Sequence, residues 1–248
     1  MLKAILCILT ASLLLVSCGA SNISEAPIPV IVTQEKETDI KNNIDDVIFL
    51  GESTTYHLKS RGVLSGGKET KQVWAPKSGT LMLDPSICDC RIIYPETNEE
   101  ISLEEALQKK SPKIMLLTFG LNGATNFVAR GDSYFKHCYQ KLIDLIKKSS
   151  PNTRIIINSC FPVAQNMDMS RYTIDSKVLN SYIENLNVWA QELAVTNSID
   201  YTDSASVIKD SNGFLSPRFQ VDDGYHLNSS AYKLILEYLN NYLQKKEK

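Results

Sequence analysis

Apolar residues fall into two kinds of run along this chain. Short continuous stretches come first: Val47-Ile48-Phe49-Leu50 closed by Gly51, Ile114 to Thr118 ahead of Phe119-Gly120, and residues 154–159 (RIIINS). Ile199-Asp200-Tyr201 makes a shorter fourth. Runs without alternation suit strands buried on both faces of a parallel sheet. Between them lie residues at helical spacing: Tyr134, Cys138, Leu142, Leu145 and Ile146, then Leu179, Tyr182, Ile183, Leu186, Trp189 and Leu193, and finally Ala231, Leu234, Ile235, Tyr238 and Tyr242. Ser102-x-x-Glu105 has the form of a capping box, reciprocal satisfaction of a helix's first free amides. Strands alternating with amphipathic helices predict βαβ units and a doubly wound α/β sandwich. Residues 58–96 break this rhythm. Their runs Thr80 to Leu83 and Arg91 to Tyr94, either side of Asp84-Pro85-Ser86, predict a hairpin insertion.

The amino terminus follows another pattern. Lys3 precedes an apolar run, residues 4–16, and then small residues and a cysteine. A short charged region, a hydrophobic stretch short for a bilayer and a small-residue cleavage site predict a secretory signal over residues 1–17. Residues 18–44 hold small, polar and charged residues with Pro27 and Pro29, and are expected to be a tether. Residues 45–248 are expected to form the folded domain. No later segment is apolar enough to span a membrane.

Composition narrows the picture. The 248 residues suffice for one α/β domain with a buried core. A net charge of -2 and a pI near 6.0 give no electrostatic reason to expect nucleic acid as partner. Of six cysteines, Cys7 lies in the signal. Cys88, Cys90, Cys138 and Cys160 allow three full pairings, which spacing cannot choose between. Cys88-x-Cys90 has no histidine partner nearby and makes a poor metal signal, so no metal site is expected.

The candidate chemistry follows from the rule that open α/β sheets place sites beyond the carboxyl ends of their strands. Gly51-Glu52-Ser53-Thr54 follows the first strand and Gly120-Leu121-Asn122-Gly123 the second, while Asp223-Gly224-Tyr225-His226-Leu227-Asn228 precedes the last helix. A serine hydroxyl needs an imidazole to remove its proton, and the imidazole needs a carboxylate to fix its tautomer. Asp223 and His226 are spaced to place carboxylate and ring side by side. An asparagine side chain, or the Ser53 amide at a helix start, can donate to a developing oxyanion. His57 follows the serine closely enough to line a pocket, whereas His137 sits on an amphipathic helix.

The strings FLGEST, TFGLNG and DDGYHLN resemble the first, third and fifth blocks of the SGNH/GDSL hydrolase superfamily, in order and across residues 47–243. The resemblance implies a flavodoxin-like three-layer α/β/α sandwich around a central parallel sheet, with esterase or deacetylase activity and no cofactor. It implies Ser53 as nucleophile, His226 as general base and Asp223 as its orienter. Asn122 and the Ser53 amide are implied oxyanion donors. A second-block glycine would complete the hole, and Gly79 is the candidate, with Gly62, Gly66 and Gly67 competing. Two residues depart from the family pattern: Glu52 stands where the G-D-S string has Asp, and Gly123 where Asp often follows the asparagine. Shifts in loop support or specificity are expected from them. The string Leu15-Val16-Ser17-Cys18-Gly19 likewise resembles a bacterial lipobox, implying lipidation at Cys18 and anchoring to the outer face of a membrane. An ordinary signal peptide or an uncleaved anchor is the alternative.

Three other readings stay open. The α/β-hydrolase fold shares the order Ser, Asp, His, but residues 51–55 lack the second glycine of its elbow. An acyl-enzyme at Ser53 could pass its acyl group to a sugar hydroxyl, making an O-acetyltransferase of surface polysaccharide. A non-catalytic, lipid-tethered binding protein has no need of all four polar residues. The location favours acetyl or other short-acyl esters of surface carbohydrate or peptidoglycan as substrate, with Trp74, Tyr56 and Tyr94 as stacking surfaces.

Overall fold

The computed structural model describes residues 44–170 and 172–246. The expected signal, the tether and Cys18 lie outside the described residues, apart from the tether's last residue, Ile44. The fold is built on a five-stranded, all-parallel sheet ordered β2-β1-β5-β6-β7. Its strands are β1 (Val47–Gly51), β2 (Val73–Trp74), β5 (Ile114–Thr118), β6 (Arg154–Asn158) and β7 (Asp200–Thr202). β3 (Arg91–Tyr94) and β4 (Glu99–Ser102) form a separate antiparallel hairpin. The helices are α1 (Ser53–Ser60), α2 (Leu103–Lys110), α3 (Ala124–Arg130), α4 (Asp132–Ser149), α5 (Ser176–Asn197) and α6 (Ser229–Lys246).

The two-residue period of a strand divides the core into two layers. Ile48 and Leu50 of β1, with Met115 and Leu117 of β5, face a core shared with α2, α3, α4 and α5. Val47 and Phe49, with Ile114 and Leu116, face the opposite layer, where α1 and α6 pack. Every residue of β1 and of β5 is buried, as continuous apolar runs require. This is the expected three-layer α/β/α sandwich. β1 lies between β2 and β5, so the chain leaves β1 toward one edge and later crosses to the other side. The ends of β1 and β5 are therefore the point where strand order reverses, and a crevice opens there.

Two expectations are corrected. Residues 80–83 form no strand; the partner of β3 is β4, through the turn at Pro95-Glu96-Thr97-Asn98. The apolar character of Leu81 and Leu83 reflects burial of an irregular segment in the main core. β2 is an additional edge strand of two residues, too short to carry a period. The capping box forms in part: Ser102 Oγ accepts from the Glu105 amide at 3.1 Å at the start of α2. Trp74 and Tyr94 are 1% and 7% exposed and meet edge to face inside the core, so neither offers a stacking surface. Cys88, Cys90, Cys138 and Cys160 are all free thiols. Among the described residues, no cluster of His, Cys, Asp and Glu is placed to hold a metal ion. No described helix is long and apolar enough to cross a membrane.

Candidate active site

β1 delivers Ser53 to the crevice. The strand ends at Gly51, where a Cβ would lie 2.3 Å from the Thr118 carbonyl oxygen of β5; only glycine allows the two strand ends to come this close. Glu52 then takes an extended conformation as the N-cap, and Ser53 opens α1. The first amides of a helix have no partner within it, so the Ser53 N–H is a donor at the positive end of the α1 dipole.

His226 comes from the far end of the chain, 173 residues later, on the loop preceding α6. That loop is held on both sides. Asn228 Oδ1 accepts from the Ser230 and Ala231 amides, capping α6. The Gly224 carbonyl accepts from the Ala164 amide at 2.7 Å. Gly224 has φ +75, and a Cβ there would lie 2.8 Å from Met167 Cα. The outcome is a linear relay. Ser53 Oγ lies 3.0 Å from His226 Nε2, and His226 Nδ1 lies 2.6 Å from Asp223 Oδ2. These partners select the tautomer in which Nδ1–H donates to the carboxylate and Nε2 accepts from the hydroxyl. Asp223 Oδ1 accepts from the His226 and Tyr225 amides at 2.8 and 3.0 Å. Burial pushes the Asp223 carboxyl up, but the two amides and the His226 ring outweigh it and hold it below its ordinary range. It is therefore an anion at neutral pH.

β5 delivers Asn122, whose Nδ2 donates to Thr80 Oγ1 at 3.1 Å. The amide of Gly79, the expected second-block donor, instead donates to the Pro76 carbonyl at 2.9 Å within a turn. The residue of that segment reaching the asparagine is its neighbour Thr80. Gly79 serves as a seat for Tyr56, whose ring would lie 2.9 Å from an added Cβ. The His57 ring lies tilted against that of His226, with centroids 4.4 Å apart. Burial, then the charges of His226 and Arg61, push the His57 pKa down to about 4, so it faces His226 as a neutral ring. His137 is exposed on α4. Sequence reading assigned no role to Tyr225, whose ring lies 4.0 Å from that of His226, or to Tyr172. Neither is marked by spacing, because both stand in irregular loops. With Leu121, Asn122, Met167 and Asp223 they line a cleft of about 430 Å³ beside the relay.

Ser53, His226 and Asp223 thus form one hydrogen-bonded chain at the crevice, with Asn122 on the loop after β5. The model of the GDSL-like Lipase/Acylhydrolase family matches residues 94–234, more than half of the chain. The chain belongs to this family. By that membership it is a serine ester hydrolase, and its sheet and flanking layers are those of the SGNH/GDSL superfamily. Among solved structures, it is similar to a GDSL-like lipase from Bacteroides thetaiotaomicron, with a TM-score of 0.52 and 16% identity over 81% of this chain and 88% of that one. It is also similar to the periplasmic domain of a lipopolysaccharide acetyltransferase from Salmonella ser. Paratyphi A, with a TM-score of 0.53 and 16% identity over 83% and 86% of the two chains. A family 3 carbohydrate esterase from Talaromyces cellulolyticus is similar at a TM-score of 0.50 and 15% identity, over 80% and 96%. At these identities the likeness is one of fold. No curated protein sequence matches significantly.

Proposed function

We propose that this chain is an extracytoplasmic serine esterase, cleaving short-acyl esters, above all acetyl esters of surface carbohydrate, with Ser53, His226 and Asp223. The observation that carries the reading is the unbroken relay from Ser53 Oγ through His226 to the Asp223 carboxylate, at 3.0 and 2.6 Å. In the acylation step Ser53 Oγ bonds to the ester carbonyl carbon while Nε2 of His226 takes the hydroxyl proton. The carbonyl oxygen becomes an anion met by the Ser53 amide and Asn122 Nδ2. Collapse of that adduct breaks the bond to the alkoxy oxygen, which leaves as an alcohol with the proton from His226. Water then attacks the acyl-Ser53 with His226 again as base, releasing the acid and the free hydroxyl.

The cleft supports a short acyl group and a polar alcohol. Its volume suits a small substrate, and its walls combine Tyr172 and Tyr225 with Asn122, Asp168 and Asp222. Aromatic faces beside hydrogen-bonding groups suit a sugar ring better than a long acyl chain. The similar folds of a carbohydrate esterase and an acetyltransferase agree with an acetyl group on sugar, and the residues of the relay serve water and a sugar hydroxyl alike. The basic and apolar run of residues 1–17 and the string ending at Cys18 support export and a lipid anchor, which would set the enzyme before surface polysaccharide.

The first test is hydrolysis of p-nitrophenyl acetate and of acetylated oligosaccharide by the wild-type chain and Ser53→Ala. Acetate release that depends on Ser53 is expected. Transfer to an added oligosaccharide exceeding release into water would instead make the protein a transferase, and activity surviving in Ser53→Ala would remove the serine from the mechanism. Incorporation of labelled palmitate, abolished by Cys18→Ala, tests the anchor.

A further inference from the structure

Glu52 stands immediately before the proposed nucleophile yet takes no part in the proton relay. Its side chain is not at the surface: the residue is 3% exposed. It points from the end of β1 across the switch point into the loop after β5. There Oε1 accepts from the Gly120 amide at 3.0 Å and Oε2 from the Asn122 amide at 3.2 Å. Its own amide donates to the Thr118 carbonyl at 3.4 Å. One residue therefore ties the backbone on which Ser53 rides to the backbone on which Asn122 rides. Among the described residues no cation forms an ion pair with it. The titratable groups facing it are the Tyr139 hydroxyl of α4 and the Cys160 thiol beyond β6, and burial raises both well above their ordinary values.

We propose that Glu52 is the positioning residue of the oxyanion site, its carboxylate bridging Gly120 and Asn122 so that the Asn122 side chain and the Ser53 amide converge on one oxygen. This rests on the reading of Ser53 as nucleophile and Asn122 as donor. Two N–H groups can each be met by an oxygen only when the side chain is the anion, since a protonated carboxyl turns an O–H toward one of them. Burial opposes the charge, the amides favour it, and the balance sets the Glu52 pKa at about 7. The bridge then loosens as the group protonates. An oxyanion donor displaced by a fraction of an ångström loses most of its effect, because its bond must form in the transition state.

The test is the pH dependence of p-nitrophenyl acetate hydrolysis by the full-length wild type, Glu52→Gln, Glu52→Asp and Ser53→Ala. Glu52→Gln keeps the shape but sets an NH₂ against a backbone N–H; kcat should fall about 10²-fold with KM little changed. The acid limb of log kcat/KM should be steeper than one proton in the wild type, since both His226 and Glu52 must deprotonate, and should have unit slope in Glu52→Gln. Glu52→Asp keeps the charge but is one methylene too short to span both amides; it should lose kcat and retain the second ionisation. It carries the test if the Gln variant does not fold. Wild-type kcat in either variant, or an unchanged limb in Glu52→Gln, overturns the proposal while Ser53→Ala remains dead. Activity in Ser53→Ala would overturn the nucleophile reading and this inference with it.

Discussion

A carboxyl group buried at the junction of two strands must cost stability at the pH where it works, and the cost can be worked out for Glu52. Burial raises its pKa from an ordinary 4.5 to about 7. Between those values the native state holds a proton that the unfolded chain has released, so unfolding releases protons and stability falls as pH rises. The stabilising contribution is fully present below the unfolded value and is gone once pH passes the folded value. A shift of this size corresponds to about 3 kcal/mol between the two limits. Glu52→Gln cannot titrate, so the difference in unfolding free energy between it and the wild type should swing by about 3 kcal/mol in favour of the variant from roughly pH 4.5 to 8. The Asp223 contribution has the opposite sign, being lost as pH falls through its lowered pKa, and it cancels in the difference because both proteins carry it. Urea unfolding of the two proteins across this range measures the swing directly, provided the m-values agree. A difference that stays constant with pH would refute the reasoning, because it would mean that Glu52 is ionised as easily in the fold as in water. The same carboxylate that lowers stability above neutrality is the one proposed to hold the oxyanion site, so as pH rises Glu52→Gln should gain stability relative to the wild type while its deficit in kcat widens.

Other outcomes follow from the same geometry. Ser53→Ala or His226→Ala should each lower kcat by about 10³-fold or more without altering the urea midpoint greatly, and the double variant should be little worse than either, as members of one unit are not additive. Asp223→Asn, which removes the partner that fixes the His226 tautomer, should cost about 10³- to 10⁴-fold in kcat at unchanged secondary structure by circular dichroism. Tyr232→Phe removes a hydroxyl that donates to the Thr54 carbonyl of α1 at 2.7 Å; a loss of about 1–3 kcal/mol by urea unfolding is expected. Phe135→Ala, at a fully buried position between α4 and its neighbours, should cost about 3–5 kcal/mol in the same assay.

Much of this was legible in the residues alone, and the reasons are physical. Val47 to Leu50 and Ile114 to Thr118 could be read as strands buried on both faces because each apolar run leaves no polar face for water. The long helices were legible because α4, α5 and α6 each bury one stripe. The Asp223 to His226 pair was readable because it is local: a carboxylate and a ring three positions apart on a loop meet without help from the rest of the chain. Ser53 and Asn122 were legible as candidates through strand-end position and family resemblance.

What only the tertiary structure decided concerns contacts between segments far apart in the chain. Spacing pointed β3 to residues 80–83, but packing of Ile92 against Ile101 over the core pairs it with residues 99–102. Trp74 and Tyr94 read equally as binding or core aromatics until their burial was known. The Gly79 amide was a plausible donor until the turn to Pro76 engaged it. Glu52 was legible only as a departure expected to shift loop support or specificity. Its meaning lies in a bridge of 68 to 70 residues in sequence, to amides whose positions exist only once β5 lies beside β1. Sequence carries the period of each element and the chemistry of each side chain, whereas the direction in which a side chain points across a crevice is set by the packing of the whole sheet.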